Sequence, residues 1–344
     1  MVPSNPWLVL YVEVSGYLKY LLVTSGYEFL VVTSFVTYAM SDFLNKVSKT
    51  SKYYLEITLS SLRNARFAVC PVNLCEPIFI VGCSRAGTTL IYKTFSESRE
   101  LGSLHKETHD FWAGLHPLSQ RDWISHEIPP ELACERDRKL ACRLFYSSTG
   151  KRRIVDKNNQ NGLSIPYLHT LFPDAHFVFI KRSPGDNIES LIKGWGKASE
   201  FGTWSSNLPE EVAIGNGAYR NWCFFLAEGW RNYCGSSIED VCAFQYQSMN
   251  QAILNAGENI PSEQWHEVTY ETLIADPVGQ FRRLFELCGI NFNGKLETHC
   301  AGVLDRPYNT FSSIGVDKWK EGENHNRIEN ALKTLGPIMS RLGY

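Results

Sequence analysis

The chain has 344 residues, of which 44% are hydrophobic and 20% are charged, and its formal net charge is −2. This composition is typical of a globular protein with one large or two ordinary domains. The near-neutral charge excludes a protein that binds nucleic acid through bulk positive charge, so any anion site has to be local.

The first 60 residues differ from the rest of the chain. Residues 7–40 are strongly apolar, but their longest uncharged run, Phe29–Ser41, is shorter than the ~20 residues of a spanning helix. No basic segment precedes this run, so a signal peptide is not indicated. We predict an apolar helical extension over residues 1–60 and a catalytic domain over 61–344. The extension either packs on the domain or makes peripheral membrane contact through residues 7–40.

The cysteine pattern bears on compartment and on metal binding. The ten cysteines are scattered and include no CxxC pair, and the histidines do not cluster at the spacing of zinc ligands. We therefore predict free thiols, no metal site, and a cytoplasmic protein, with membrane association as the alternative. Disulfides Cys70–Cys75 and Cys134–Cys142 are the alternatives to free thiols.

A strand followed by a glycine-bounded loop is the strongest motif of the sequence. Four apolar residues, Ile78–Val81, predict a buried parallel strand. Gly82 and Gly87 bound a short loop, and Thr88 and Thr89 open a helix that we expect to run to about Ser98. This layout is typical of a phosphate-binding loop, because glycines let backbone N–H groups turn inward at a helix N-terminus.

The loop departs from the nucleoside-triphosphate version of this motif. That version has a lysine after the second glycine, where this chain has Thr88, and here the cation lies inside the loop as Arg85. The arginine and the hydroxyl pair favour a phosphate site over a chance strand–turn–helix junction.

Further strands and helices alternate along the rest of the chain. We predict strands at Leu101–His105, Arg153–Asp156, Ala175–Ile180 and His266–Tyr270, and we expect the strand at 101–105 to run beside the phosphate-loop strand. Helices are predicted over Ser164–Phe172, Ser183–Trp195, 211–234, 238–256, Pro277–Cys288 and Arg327–Leu342, and residues 113–150 are expected to be irregular with short helices. Alternating strands and helices predict an α/β fold with a parallel sheet, whose ligand site lies at the carboxyl ends of the strands.

A second anion motif follows the strand at 175–180. Arg182 ends this strand, and Ser190 lies on the next helix seven residues after Ser183, so that Ser183 and Ser190 share one face. A guanidinium and a hydroxyl together suit a phosphate group.

The two motifs together resemble those of the sulfotransferases that use 3′-phosphoadenosine-5′-phosphosulfate (PAPS). That family has a basic-x-Gly-Thr-Thr loop for the 5′-phosphosulfate and, about a hundred residues on, an arginine with a serine eight residues later for the 3′-phosphate. The stretches 156–175, Val268–Glu271 and 318–344 are also similar to the family. The resemblance spans residues 76–344 and is closest to bacterial and carbohydrate-modifying members.

The resemblance implies a P-loop-type sheet, a PAPS donor with product PAP, and no metal requirement. Glu107 in Lys106-Glu107-Thr108-His109-Asp110-Phe111 would be the general base, with His109 as the rival base. Arg85 and Lys157 would stabilise charge at the reacting centre. The implied donor-binding residues are Ser84, Arg85, Ala86, Gly87, Thr88, Thr89, Arg182, Ser190 and, near the adenine, Tyr270.

One element of the family pattern is missing. Ser312-Ser313-Ile314-Gly315 stands where an Arg-Lys-Gly contact to the 3′-phosphate would be, so Lys318 or Lys320 is expected to replace it. The expected acceptor is a hydroxyl on a glycan or glycolipid, with a small alcohol, phenol or protein tyrosine as alternatives. The oligomeric state is left open.

Two other functions are consistent with parts of the sequence. A P-loop kinase or NTPase shares the glycine-bounded loop, but it needs an acid for Mg²⁺ at a strand end, where this chain has Lys181-Arg182. A non-catalytic PAP-binding scaffold would lack the base or a phosphate ligand, and neither is evidently lost.

Overall fold

The computed structural model describes residues 8–14, 17–23, 48, 50, 51, 53–202, 205, 207–215, 217–305 and 314–344. The chain divides into two compact units, Met1–Ser61 and Leu62–Tyr344. All ten cysteines lie in the described part and all are free thiols. Within the described residues, no helix combines the length and the apolarity needed to cross a membrane.

The N-terminal unit contains a β-hairpin. Strands β1 (Leu8–Val14) and β2 (Tyr17–Val23) pair antiparallel, with Leu8 opposite Val23 and Val14 opposite Tyr17. The helical prediction is therefore wrong for this stretch, because valine, tyrosine and leucine fill both segments and favour strands. The other part of the predicted membrane-contact segment, residues 24–40, lies outside the described residues.

The second unit is built on a parallel sheet. Its strands β3 (Ile78–Val81), β4 (Val155–Lys157), β5 (His176–Lys181) and β8 (Trp265–Thr269) pair in the order β4-β3-β5-β8. All three pairings are parallel, which confirms the predicted α/β fold. A short antiparallel pair, β6 (Val212–Ile214) and β7 (Gly217–Tyr219), stands apart from this sheet.

Helices cover the sheet and connect its strands. They are α2 (Thr88–Phe95), α3 (His109–Leu115), α4 (Glu135–Thr149), α5 (Ile165–Leu171), α6 (Pro184–Trp195), α7 (Ala198–Phe201), α8 (Ile238–Gly257), α9 (Tyr270–Ala275), α10 (Pro277–Leu287), α11 (Gly294–Ala301), α12 (His325–Leu332) and α13 (Gly336–Leu342). One further helix, α1 (residues 53–69), runs through the boundary between the two units. Single 3₁₀ turns occupy Leu118–Gln120, Pro130–Leu132, Asn161–Leu163, Trp230–Tyr233, Ser262–Gln264 and Lys318–Glu321.

The sheet lies in the core. The side chains of β3 are fully buried, and Phe79 stacks on its cross-strand partner Phe177 with ring centroids 5.7 Å apart. Burial on both faces explains why β3 and β5 read as continuous apolar runs.

Three predicted elements differ from the structure. Residues 211–234 form β6, β7 and a 3₁₀ turn instead of a helix, and the positive φ angles of Gly215 (53°), Phe224 (68°) and Gly229 (83°) are incompatible with a continuous right-handed helix. The irregular region contains the 15-residue helix α4. The last helix is two helices, α12 and α13, since Pro337 cannot continue the backbone hydrogen bonds.

A fourth difference concerns the approach to the site. Leu101–His105 is not a strand, and Gly102 alone bridges to Ile154. The neighbour of β3 on that side is β4, with Ile80 opposite Lys157. The prediction that residues 101–105 run beside the phosphate-loop strand is therefore wrong.

Candidate active site

The loop between β3 and α2 is shaped by its two glycines. A Cβ on Gly82 would lie 2.8 Å from the carbonyl oxygen of Ile180 on β5, so only glycine fits there. Gly87 has a φ of 112°, which L side chains rarely adopt, and a Cβ there would lie 2.9 Å from the Tyr270 ring. Ser84, Ala86 and Thr88 are buried and Thr89 is half-buried, so the loop is closely packed between strand ends.

The loop is joined to helix α6 by side chains of both motifs. Arg85 has a φ of 70°, and its Nε donates to Ser190 Oγ at 3.2 Å. Arg182 Nη1 donates to the Arg85 carbonyl oxygen at 2.7 Å, and Asn187 Nδ2 donates to that of Ser84 at 2.8 Å. The structure therefore brings Arg85 together with Arg182 and Ser190, which follow it in the sequence by about a hundred residues.

Arg182 is a buried cation without a counter-charge among the residues that the structure describes. Its side chain forms no ion pair within the described residues, and its Nε is buried without a hydrogen-bond partner. The guanidinium carbon lies 4.3 Å from the centre of the Tyr270 ring. The pKa of Arg85 is lowered, first by burial and then by the positive charge of Arg182. The negative charge of Glu107 opposes this shift without cancelling it. A buried guanidinium with an orphaned donor is costly unless an anion binds to it.

A C-terminal segment adds a third cation. Asp186, in the first turn of α6, accepts from the backbone N–H groups of Asp317 at 2.7 Å and Trp319 at 3.3 Å. Lys318 is held between them, and burial followed by the Arg182 charge lowers its pKa. Lys320 instead pairs with Asp317 at 3.0 Å at the surface. Of the two lysines expected to replace the missing element, Lys318 is the one within electrostatic reach of Arg182, while Ser312 and Ser313 lie outside the described residues.

Glu107, His109 and Lys157 form a second cluster beside the loop. Lys157, at the end of β4, is buried and donates to Glu107 Oε1, and its Nζ lies 3.4 Å from Thr89 Oγ1. Glu107 Oε2 is buried without a hydrogen bond and lies 3.1 Å from His109 Nε2. The cluster thus touches the phosphate loop through Lys157 and Thr89.

The imidazole of His109 is neutral, and its Nε2 accepts a hydrogen bond. The backbone N–H of Asn159 donates to His109 Nε2 at 3.2 Å, so that nitrogen carries no proton and the other ring nitrogen does. Burial, followed by the charge of Lys157, lowers the pKa of His109 to about 3. The short contact between His109 Nε2 and Glu107 Oε2 therefore joins two hydrogen-bond acceptors and is not an ion pair.

Asp156 positions the cluster of Glu107, His109 and Lys157 through hydrogen bonds to neighbouring side chains. It is buried and accepts from Thr108 Oγ1 at 2.8 Å, Trp112 Nε1 at 3.0 Å and Asn161 Nδ2 at 3.2 Å. Burial is the largest effect on Asp156 and raises its pKa against these hydrogen bonds. Because Thr108 lies between Glu107 and His109, Asp156 fixes the turn that presents both side chains.

The sequence indicates Asp186 as a capping residue of α6, but it does not indicate a role in the site for Asp156, Asn159, Asp186 or Asn187. Asp156 follows the apolar residues of a strand, which is a weak signal for a site residue. The other three act through backbone contacts to distant segments, for which the sequence carries no signal.

A profile of the sulfotransferase family matches residues 77–294, more than half of the chain. The chain belongs to the sulfotransferase family. The family resemblance predicted from the two phosphate motifs is thereby confirmed.

Individual relatives of this sulfotransferase are distant. Nodulation protein NoeE of Sinorhizobium fredii is 28% identical over 136 residues, which cover 34% of this chain and 31% of NoeE. The omega-hydroxy-beta-dihydromenaquinone-9 sulfotransferase Stf3 of Mycobacterium bovis is 21% identical over 198 residues, 56% of this chain and 42% of Stf3. The chain thus spans less than half the length of these curated relatives.

The fold is also seen in a solved structure. The crystal structure of sulfotransferase STF9 from Mycobacterium avium superposes with a TM-score of 0.52 and 15% identity, covering 81% of this chain and 80% of STF9. At this identity the likeness shows the fold of this sulfotransferase and nothing finer.

Proposed function

We propose that this chain transfers the sulfuryl group of PAPS to an acceptor hydroxyl. The observation that carries the proposal is the buried Arg182 guanidinium, which has an orphaned Nε and a direct contact to the phosphate loop. A second anionic group, next to one held by the loop, would satisfy this donor. PAPS, which carries a 3′-phosphate besides its 5′-phosphosulfate, has both groups on one molecule.

The donor would be held by two sets of residues. Backbone N–H groups of Ser84–Thr89 and the Arg85 side chain would bind the 5′-phosphosulfate at the N-terminus of α2. Arg182, Ser190 and Lys318 would bind the 3′-phosphate. Tyr270, expected near the adenine, packs on the Arg182 guanidinium and would also hold that side chain in place.

Glu107 is the proposed general base. As the acceptor oxygen bonds to sulfur and the bond from sulfur to the bridging phosphate oxygen breaks, the hydroxyl proton would pass to the Glu107 carboxylate. Protonated Glu107 could then donate from Oε2 to His109 Nε2, which lies 3.1 Å away and accepts.

Lys157 has a complementary role in this proposal. Its ammonium pairs with Glu107 while that carboxylate is charged. When Glu107 takes the proton, the ammonium would be released toward the leaving phosphate, next to Thr89. Arg85 would stabilise the same developing charge.

The structure supports Glu107 over His109 as the base. His109 is only 2% exposed and its Nε2 already accepts a hydrogen bond from Asn159. A histidine whose pKa is lowered to about 3 is also a weak acceptor of a full proton.

The proposed acceptor is a hydroxyl on a glycan or glycolipid, with a small alcohol, phenol or protein tyrosine as alternatives. Stf3 is named for a hydroxyl group on a lipid quinone, which keeps a lipidic alcohol among the candidates. No metal is required for the transfer as proposed, because Arg85, Arg182 and Lys157 supply the positive charge.

The kinase alternative is disfavoured by the charges at the strand ends. Lys181 pairs with Glu267 at 2.6 Å, and Arg182 follows it, so a cation occupies the strand end at which a kinase would hold Mg²⁺. The scaffold alternative is disfavoured by the presence of the base cluster.

A thermal-shift panel with PAP, PAPS, ATP and GTP tests the proposal. A ligand at 100 times its dissociation constant adds about 2.7 kcal/mol of stability, so PAP and PAPS should each raise the melting temperature by several degrees. A large shift with ATP and Mg²⁺ and none with PAP would overturn the proposal. A PAP shift without turnover of any acceptor class would favour the scaffold.

A further inference from the structure

Three potential metal ligands meet at the edge of the sheet opposite the phosphate loop. His176 begins β5, His266 is the second residue of β8, and Cys288 follows the end of α10. One ligand atom from each residue lies within 4.8 Å of the other two. The phosphate loop follows the carboxyl end of β3, whereas these histidines lie at the amino ends of their strands, so the cluster is separate from the proposed active site.

The geometry of the three residues is close to that of a bound ion. His176 Nδ1 lies 2.9 Å from His266 Nε2, and the two rings are nearly parallel, with centroids 5.2 Å apart. Ligand atoms around a tetrahedral zinc ion, with bonds of about 2.0–2.3 Å, are separated by roughly 3.3–3.8 Å. Shifts of about an ångström in side chains alone would therefore place all three ligands around one ion.

The chemical state of the ligands fits a transition metal. An imidazole binds a metal through a ring nitrogen that carries no proton, and one ring nitrogen of each histidine faces the other members of the cluster. Cys288 is fully buried and its Sγ forms no hydrogen bond within the described residues. Two imidazoles and one sulfur are a donor set for Zn²⁺ and chemically similar ions rather than for Mg²⁺ or Ca²⁺.

The surrounding charges also tolerate a cation. Two arginines lie nearby. Arg153 is paired with Glu76 at 3.1 Å, and Arg283, on the His266 side, donates from Nη1 to the Glu267 carbonyl oxygen at 3.2 Å. The Glu76 backbone N–H in turn donates to Asp174 at 2.7 Å, so two carboxylates stand near the His176 side of the cluster. His176 is half-buried while His266 and Cys288 are buried, so one side of the cluster is open to a water as the fourth ligand.

We propose that His176, His266 and Cys288 form a binding site for Zn²⁺ or a similar transition-metal ion, which ties β5 and β8 to the end of α10. On binding, the Cys288 thiol gives its proton to solvent and its sulfur becomes the anionic ligand. The role of the site is structural, because it lies away from the phosphate loop and three protein segments converge on it. No motif in the sequence indicates this site, because its members are 90 and 22 residues apart.

Metal titration of the full-length chain tests the site. Purified protein is stripped with a chelator, dialysed, and titrated with Co²⁺, whose thiolate-to-metal charge-transfer absorption reports a sulfur ligand, and then with Zn²⁺ against a chromophoric chelator. One equivalent of Co²⁺ should produce the charge-transfer band, and Zn²⁺ should displace it and raise the melting temperature by a few degrees. No band and no zinc-dependent stabilisation would overturn the proposal and leave the two histidines as a hydrogen-bonded pair.

Single substitutions distinguish metal binding at this site from metal binding by other thiols of the chain. Cys288→Ser should abolish the charge-transfer band and weaken Zn²⁺ binding at least tenfold, while Cys300→Ser, which changes another buried cysteine on α11, should leave both unchanged. His176→Gln, at a half-buried position that is less prone to unfold the chain, should weaken binding with its far-ultraviolet circular dichroism intact. If Cys300→Ser and His176→Gln bound metal alike, at wild-type affinity, the assignment of His176 as a ligand would be wrong.

Discussion

The candidate site has two parts, which the sequence encodes differently: a donor half, made of the phosphate loop with Arg182 and Ser190, and the base cluster of Glu107, His109 and Lys157. The donor half rests on two contiguous motifs, each a strand end followed by a helix, and Arg85 and Ser190 lie within 3.2 Å of each other as a result of the parallel sheet. The base cluster combines Glu107, on a turn before α3, with Lys157, fifty residues later on β4. Local motifs can be identified in a sequence, but contacts between distant residues are only found once the order of strands is known.

The largest expected effect is therefore that of a substitution in the base cluster. Glu107→Gln keeps the size and hydrogen bonding of the side chain but cannot take the acceptor proton. It should lower kcat by about 10²- to 10⁴-fold while PAP affinity stays close to that of the wild type. Steady-state turnover with PAPS and calorimetric titration with PAP measure the two quantities.

His109→Ala is the matched variant within the same cluster. It should cost less activity, because His109 acts by accepting from protonated Glu107 and by holding the Asn159 backbone. An active Glu107→Gln and an inactive His109→Ala would make His109 the base. The chain would then resemble the small-molecule branch, and the preference for a glycan acceptor would lose its main support.

The donor half can be tested by the loss of its buried cation. Arg182→Ala should remove a charge-assisted contact worth about 1.5–3 kcal/mol, so PAP should bind roughly 10- to 150-fold more weakly. Adenosine 5′-phosphosulfate, which lacks the 3′-phosphate, should bind nearly as it does to the wild type. Equal weakening of both ligands, measured by titration calorimetry, would count against the assignment of Arg182 to the 3′-phosphate.

The pH dependence of stability tests the state of His109. Its folded pKa of about 3 lies below the unfolded value, so between about pH 6.5 and pH 3 the unfolded chain binds a proton that the folded chain does not. The free energy of unfolding should therefore fall as the pH falls through this window, by at most about 1.4 kcal/mol per pH unit for this group. Urea unfolding at several pH values measures the slope.

His109→Gln supplies the comparison for this slope. The variant should lose stability less steeply than the wild type below pH 6.5. A residual slope of the same sign is expected from His266, whose pKa is also lowered, to about 4. Identical slopes in both proteins would show that His109 is not held neutral.

The sequence determines the residues of local motifs in the site better than the contacts between distant segments. The phosphate loop and the Arg182–Ser190 pair were identified because the strands before them are continuous apolar runs and the residues after them include glycine, proline and hydroxyl groups. Asp156 and the Lys157–Glu107 pair depend on β4 lying next to β3, whereas the sequence pointed to residues 101–105 as that neighbour. The hairpin at 8–23 and the β6–β7 pair were predicted as helices because aromatic and apolar runs do not by themselves distinguish the two structures.

A smaller effect is expected at the C-terminal edge of the donor half. Lys318→Ala should weaken PAP binding several-fold, since the electrostatic influence of Arg182 on Lys318 places the two cations near one another. Lys320→Ala should change PAP affinity little, because Lys320 pairs with Asp317 at the surface. Titration calorimetry on both variants decides between them, and the opposite order would assign the 3′-phosphate contact to Lys320.

The smallest expected effect is that of a chelator, which should act at one edge of the sheet and not at the other. At the carboxyl edge, positive charge for the transfer comes from arginine and lysine side chains, so a chelator should leave kcat and the Michaelis constant for PAPS unchanged. At the amino edge, the same chelator should strip the cluster of His176, His266 and Cys288 and lower the melting temperature by a few degrees. Activity assayed well below that temperature, before and after chelation and after added Zn²⁺, measures both effects in one preparation. A loss of turnover that metal restores, without any change in the melting temperature, would contradict both assignments, because it would place a required ion at the reacting centre and none at the distant cluster.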